Sequence, residues 1–253
     1  MVEKDTNEKV ISRRELLESG VHFGHPKSMW NPKMKPYVFQ VRKGVHILDL
    51  SKTISKLEEA YYLVMDIVKE GGRVLFVGTK KQARESIQKI AEDCDMPHLT
   101  RRWPGGFLTN WDQISSTLEN LRKFEAGLLD EKMSKMTKRE RGIYKTKIDR
   151  NKRVFGGALN LEKPPQCIFI SDVNHDRIAV LEARKSGVPV IAILDSNSNP
   201  DHITIGIPGN DDAVGSISLL AGKISEAVKN GHASKKSLSE KVEEDSLESD
   251  KEG

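Results

Sequence analysis

The feature that most constrains this fold is a set of short, uninterrupted apolar runs alternating with helix-forming stretches. The runs are Arg73–Gly78, Cys167–Ile170, Val188–Leu194 and, shorter, Ile203–Ile205. A strand that is apolar at every position is buried on both faces, as in parallel sheets covered by helices. Helical patterns cover 80–93, 175–186 and 211–229, and another begins at Ser51 and stops at Gly71. The alternation predicts an α/β domain with a parallel sheet and helices on both faces.

The N-terminal region has a different character from this α/β pattern. Ser12 and Glu15 form a capping-box pattern at the start of a short helix that we expect to end at Gly20. The residues up to 50 then mix aromatic, proline and basic side chains without periodicity, which predicts a loop held by the domain or by a partner. In the helix over 175–186, Ile178, Leu181 and Ala183 are predicted to face inward.

A helical insertion divides the α/β pattern into two parts. Residues 112–153 have no strand pattern, and a second capping box at Thr137–Glu140 begins a helix rich in lysine and arginine. Two helices with narrow apolar seams are predicted to pair as an antiparallel coiled-coil hairpin. The alternative is a helical arm exposed to solvent. It would explain why the insertion is highly charged, but not why the charges of its second helix are so one-sided in sign. The resulting divisions are 1–50, 51–111 (first part of the α/β domain), 112–155 (hairpin), 156–232 (second part) and 233–253.

The charge of the chain points to a polyanionic partner. The net charge is +4, but seven acidic and two basic side chains give residues 239–253 a charge of −5, which leaves +9 on residues 1–238. An excess of positive charge favours binding to a polyanion without specifying which one. The acidic tail from 233 to 253 lacks aromatic residues and is predicted to be disordered.

Arg101–Trp111 combines two arginines, two tryptophans and a Gly-Gly turn. Arginine offers a planar set of donors for phosphate oxygens, and tryptophan offers a face for stacking. For Trp103 a buried anchor of the turn is an equal alternative, since tryptophan is usually mostly buried. The segment as a whole favours RNA binding, and contacts to phosphates would make its affinity for RNA dependent on salt. The predicted RNA-binding residues are Lys27, Trp30, Lys33, Lys35, Arg42, Arg101, Arg102, Trp103, Lys138, Arg139, Arg141 and Lys145.

The sequence indicates no catalytic residues, cofactor, metal or small-molecule substrate. Gly78–Lys81 lies where a strand turns into a helix, but it lacks both glycine-rich nucleotide patterns. Asp172, Asp195 and Asp201 follow strands, as catalytic carboxylates do, yet carboxylates there also cap helices. Asp195, Asn197 and Asn210 are accordingly predicted to be turn and cap residues.

Two further observations bear on the class of protein. Cys94 and Cys167 are predicted to be buried free thiols, which fits a reducing compartment. No secretory signal pattern is visible at the N-terminus, and no apolar run reaches the roughly 18 residues of a membrane helix. A protein of the cytoplasm is therefore expected.

Several segments resemble the small-subunit ribosomal protein S2 family of bacteria. They follow in the family's order over residues 12 to 230: Gly20–His25, Trp30–Tyr37, Val45–Leu50, Leu75–Lys80, Arg102–Trp111, Pro165–Ile170 with Asp172, Asp176, Glu182 and Gly187–Pro189, then Asp195–Asp201 and Ile207–Ala213.

This resemblance implies a flavodoxin-like (Rossmann-like) sheet with a protruding coiled-coil hairpin. It also implies a structural protein of the ribosome that binds small-subunit ribosomal RNA and neighbouring ribosomal proteins and helps hold ribosomal protein S1. Two other classes stay open from the residues alone: an enzyme acting on nucleotides or phosphosugars, and an adaptor that docks proteins through the helical hairpin.

Overall fold

The N-terminal segment forms a short helix and a small antiparallel sheet. The computed structural model describes residues 10–127 and 135–249, with side chains up to residue 236. Helix α1 (Arg13–Glu18) begins at the predicted capping box, in which the Ser12 hydroxyl accepts from the Glu15 N–H and the Glu15 carboxylate accepts from the Ser12 N–H. The strands β1 (Phe23–Pro26), β2 (Val38–Arg42) and β3 (Val45–Leu48) pair in the order β1-β3-β2, with 3-10 helices at Lys27–Met29 and Pro32–Tyr37. The loop predicted for this segment was therefore wrong, because strand pairing across non-periodic sequence leaves no local pattern.

A five-stranded parallel sheet is the centre of the molecule. Its strands are β4 (Val74–Val77), β5 (His98–Leu99), β6 (Cys167–Ile170), β7 (Val190–Leu194) and β8 (Ile205–Pro208). They lie in the order β5-β4-β6-β7-β8 and every pair is parallel. This order is consistent with a flavodoxin-like fold, in which the connections change direction between the first and third strands, here β4 and β6.

Helices cover both faces of the sheet, as predicted. On one face α1, α2 (Leu50–Lys69), α3 (Arg84–Asp93) and α7 (Val214–Ser249) contribute to a core that includes Phe76 and Phe169. On the other face α4 (Trp111–Glu125), α5 (Lys138–Phe155) and α6 (Arg177–Ser186) pack with Leu75 and Ile168. Because successive side chains of a strand point to opposite faces, β4 supplies both cores in alternation.

The two inserted helices pack on the domain, but the antiparallel hairpin is not confirmed. Leu121 of α4 and Ile148 of α5 are buried in the same core, and α5 begins at the predicted Thr137–Glu140 capping box. Glu125, in the last turn of α4, forms a 2.7 Å ion pair with Lys152 near the end of α5. A regular antiparallel pair would place these two ends apart. Residues 128–134, which join the helices, lie outside the described residues, and the hairpin stays a prediction.

Two other predictions changed in the structure, and one strand had not been predicted. Ala183 is buried, as predicted, but Ile178 and Leu181 are exposed, because α6 turns Ala179 and Val180 inward instead. The strand predicted at Ile203–Ile205 begins at Ile205, and the two-residue β5 had no sequence pattern long enough to predict it.

Helix α7 runs to Ser249, beyond the predicted end at 229 and into the segment predicted to be disordered from 233. Residues 232–249 contain no glycine or proline that would end a helix. Cys94 and Cys167 are buried and free, as predicted. Among the described helices, none has the length and apolar character needed to span a bilayer.

Candidate nucleic-acid interface and the adjoining polar cluster

A lysine and three aspartates fill the position where flavodoxin-like sheets bind ligands. Lys80 follows β4, at the point where the connections change direction. Its Nζ lies 2.8 Å from Asp172 Oδ2, 2.9 Å from Asp211 Oδ1 and 2.8 Å from Asp212 Oδ1. Hydrogen bonds to these aspartates raise the pKa of Lys80, although burial acts in the opposite direction. The ammonium therefore stays charged, and carboxylates already surround the position that a phosphate would need.

His25 connects the N-terminal segment to the same cluster. Its Nδ1 lies 3.1 Å from Asp195 Oδ1 and its Nε2 lies 3.2 Å from Asp212 Oδ2. The hydrogen bond to Asp195 and the charges of the nearby aspartates raise the pKa of His25, against the effect of burial. The His25 backbone N–H also donates to Asp195 and to the Ser196 hydroxyl. These bonds attach β1 to the end of β7.

Asp211 is the most perturbed carboxylate of this cluster. Burial, together with the charges of Asp172 and Asp195, raises its pKa to about 7 despite the contact with Lys80. His25, Asp195 and Asp211 offer three possible metal-ligand atoms within 4.8 Å of one another. The cationic Lys80 lies beside Asp211 and competes with a metal ion for that carboxylate. We assign this cluster a structural role, in which charged groups join the strand ends to the N-terminal segment.

The Arg101–Asn110 turn after β5 is held by one buried carboxylate. Glu182 on α6 accepts from Trp103 Nε1 at 3.1 Å, from the Gly106 N–H at 2.7 Å and from the Leu108 N–H at 3.1 Å. Trp103 is half-buried and packs on Phe107 with ring centroids 5.3 Å apart. Trp103 therefore acts as the anchor of the turn, the alternative that the sequence left open.

The other eleven predicted RNA-binding residues are exposed, and they form three groups. The first group lies in the N-terminal segment: Lys27, Trp30, Lys33, Lys35 and Arg42. The second is Arg101 and Arg102 at the turn, and the third is Lys138, Arg139, Arg141 and Lys145 on α5. Within the described residues Lys33 is the only member with an ion pair, to Asp201, and the Trp30 ring stacks on His46 at 5.6 Å.

Different contacts hold each group in place. The Asn31 N–H donates to the Ser196 carbonyl, which fixes the first group beside the end of β7. Arg84 of α3 donates to the Arg101 carbonyl at 3.5 Å, next to β5. Helix α5 reaches the turn through Phe155, which stacks on Phe107 with centroids 6.4 Å apart. The first two groups thus lie at the carboxyl edge of the sheet, near opposite ends, and the third extends from the turn.

Comparison with known proteins decides the family. A family model described as Ribosomal protein S2 matches residues 16–231. The small ribosomal subunit protein uS2 of Campylobacter hominis is 45% identical over 224 residues, which cover 88% of this chain and 84% of that protein. The chain belongs to the small-subunit ribosomal protein S2 family.

Membership of the ribosomal protein S2 family fits the geometry at the sheet edge. The chain is a structural, non-enzymatic ribosomal protein, and the phosphosugar-enzyme alternative is set aside. Asn210 is a turn residue, as predicted, since its side chain accepts from the Asp212 and Ala213 N–H groups just before α7. Asp195 does more than the predicted turn role, because it also binds His25, 170 residues away in the chain.

Sequence reasoning missed two residues of this ribosomal protein that organise the site, Lys80 and Glu182. For Lys80 a signal existed: it follows one buried strand while Asp172 and Asp195 follow others, and the carboxyl ends of parallel strands meet at one edge. For Glu182 the only signal was its place in the S2-like segments, because a glutamate in an amphipathic helix is usually exposed.

Proposed function

We propose that this chain is built into the small ribosomal subunit, where it binds ribosomal RNA and contacts neighbouring ribosomal proteins. The observation that carries the proposal is the exposure of eleven of the twelve predicted RNA-binding side chains. Ten of the eleven are basic, and nine of these have no ion pair within the described residues. Such side chains can reach phosphate oxygens without first breaking an internal pair. The name of the Campylobacter hominis relative, a small ribosomal subunit protein, supports the same placement.

Contacts to the RNA backbone account for attachment in this proposal. Lysine and arginine side chains on the N-terminal segment, the turn and α5 neutralise phosphates, and counterion release then supplies much of the affinity. Folded RNA presents a deep, narrow major groove, so shape and backbone contacts dominate over the reading of bases. Trp30, which is 37% exposed, offers the one stacking face of the first group. Trp103 contributes indirectly, by fixing the turn that carries Arg101 and Arg102.

The proposal extends to ribosomal protein S1 and to localisation. We infer, on the family resemblance, that the chain helps to hold S1 on the small subunit and that it acts in the cytoplasm, on bacterial ribosomes. No catalytic step is required for either role.

Sedimentation of a tagged chain in a cell lysate tests the proposal. We expect co-migration with small subunits in magnesium buffer at low salt and partial release at high salt, because the contacts are electrostatic. A variant with Lys138, Arg139, Arg141 and Lys145 changed to glutamine should dissociate at lower salt. A matched control changes four exposed lysines that the prediction leaves out, Lys69, Lys89, Lys163 and Lys229, to glutamine, and should sediment like the wild type.

One outcome of this experiment, and one of a further experiment with subunits depleted of the chain, contradict the proposal. A wild-type chain that stays in the soluble fraction at low salt would exclude ribosomal attachment. Subunits depleted of the chain that retain a full complement of S1 would exclude the proposed support of S1 while leaving attachment intact.

A further inference from the structure

Glu182 is a buried carboxylate whose described hydrogen bonds all come from the 101–110 turn. Glu182 as a whole residue is only 9% exposed to solvent. Besides the three bonds given above, Oε2 lies 3.4 Å from the Thr109 hydroxyl, so the four donors belong to seven consecutive residues, 103–109. Within the described residues it has no ion pair, and the donors of the turn compensate its charge. A buried carboxylate is costly unless such donors satisfy it, so carboxylate and turn stabilise each other.

The turn that Glu182 holds is anchored elsewhere as well. Phe107 and Leu108 are buried in the core, and Gly106 has a positive φ of +86°, which favours glycine. At the other end the Arg101 carbonyl accepts from Arg84. The backbone of the turn is therefore fixed on both sides of Arg102, while the side chains of Arg101 and Arg102 remain exposed.

We propose that Glu182 is a positioning residue for RNA binding, which holds the 101–110 turn so that Arg101 and Arg102 face the phosphate backbone together. The inference rests on the proposed function, since it assigns a partner to this turn. A fixed backbone reduces the conformational entropy that the two arginines lose on binding. Glu182 itself does not contact RNA, because its oxygens are occupied within the protein.

Glu182→Gln is the first variant for testing this role. The amide keeps the shape of the side chain, but its NH2 group faces an N–H donor of the turn that the carboxylate had satisfied. We expect affinity for small-subunit ribosomal RNA to fall by a factor of about ten, within the range of coupled residues. The slope of log affinity against log salt should decrease by roughly 1, as for the loss of one phosphate contact. Glu59→Gln, at an exposed position of α2, is the matched control and should change neither quantity.

A double-mutant cycle separates positioning from general stabilisation. In a chain that carries Arg101→Ala and Arg102→Ala, Glu182→Gln should change RNA affinity by less than about twofold, because its effect passes through the missing arginines. An equal loss in both backgrounds would show that Glu182 only stabilises the fold and would overturn the inference. An arginine pair whose removal leaves affinity unchanged would overturn it too.

A second variant keeps the test valid if Glu182→Gln does not fold. Trp103→Phe removes one donor to Glu182 while retaining an aromatic ring against Phe107, and the same cycle with the arginines applies to it. Failure of the inference is distinguishable from failure of the proposed function. A wild-type chain without affinity for the RNA contradicts the function, whereas a wild-type chain that binds and a Glu182→Gln variant that binds equally well contradict only the role of Glu182.

Discussion

At the scale of single residues, Gly157 shows how closely the chain packs after α5. A Cβ added at this position would lie 2.2 Å from His98 Cε1 and 2.3 Å from its Nδ1. His98 is buried, so its ring cannot move into solvent. We expect Gly157→Ala to lower the free energy of unfolding by about 1–3 kcal/mol, the usual cost of overpacking. Urea denaturation measures the change.

Gly142→Ala provides the control for this prediction. Gly142 lies inside α5 with open space around its Cα, and alanine there should leave stability unchanged or raise it by about 0.5–1 kcal/mol. Equal destabilisation by both substitutions would contradict the steric argument.

Asp211 should make stability depend on pH. Its pKa is raised to about 7 in the fold, whereas an aspartate in an unfolded chain titrates near pH 4. Between these values the folded protein holds a proton that the unfolded chain has released, so this group's contribution to the free energy of unfolding falls as pH rises. Lys80, Asp172, Asp195 and His25 surround the group and set the size of the effect.

Asp211→Asn removes this titration. We expect the difference in unfolding free energy, wild type minus variant, to decline from about pH 4 to about pH 7 and to be constant above that. Urea denaturation at several pH values measures it. A difference that is constant over this window and rises only below about pH 4 would mean that Lys80 lowers the pKa of Asp211 instead.

At the scale of elements, the packing of α5 can be tested at two isoleucines of the same helix. Ile148 is 4% exposed in a core that also includes Leu118 and Leu121, whereas Ile143 is 65% exposed. We expect Ile148→Ala to lower the free energy of unfolding by about 2–5 kcal/mol. Ile143→Ala should change it by less than about 0.5 kcal/mol. Similar small effects at both positions in urea denaturation would indicate a solvated arm rather than a packed helix.

The sequence predicted elements well where their signals are local. The runs around Phe76 and Phe169 are apolar at every position because both faces of the strand are covered, and Ser12 and Thr137 mark helix starts because their capping bonds span only three residues. Strands β1 and β5 escaped prediction because they are short and pair with segments about 20 residues away in the chain. Strands β2 and β3 pair locally, across a turn at Lys43 and Gly44, but they are only five and four residues long. Ile178 and Leu181 were misplaced because a stripe shifted by one residue looks equally amphipathic.

The candidate interface also has features that the sequence predicted and features that it did not. Exposure of the basic side chains was predictable, since isolated lysine and arginine residues rarely become buried. The contacts that organise them were not, because Glu182 lies 73 to 79 positions from its donors and Lys80 lies 92 and 131 positions from two of its aspartates. Contacts at such separations depend on the order of the strands in the sheet, and no local sequence pattern determines that order.

At the scale of the whole molecule, the distribution of charge should control how the chain meets RNA. Residues 237–253 carry seven acidic and two basic side chains, so the chain without them has a net charge of +9 instead of +4. Anionic residues tethered to a basic body lower its attraction for a polyanion. Truncation after residue 236 should therefore raise the association rate with small-subunit ribosomal RNA by about tenfold at low salt, within the range of electrostatic steering.

Stopped-flow binding at several salt concentrations measures this effect. Screening should remove most of the difference near 1 M salt, where the Debye length is about 3 Å. A full-length control, with the seven acidic residues changed to glutamine or asparagine, should associate as fast as the truncated chain if charge is the cause. If the neutralised chain keeps the slow rate while the truncated chain is fast, residues 237–253 obstruct RNA by their bulk, and the electrostatic explanation is wrong. The expected order of rates thus separates the effect of this segment's charge from the effect of its length, because only the electrostatic effect on the association rate is screened by salt.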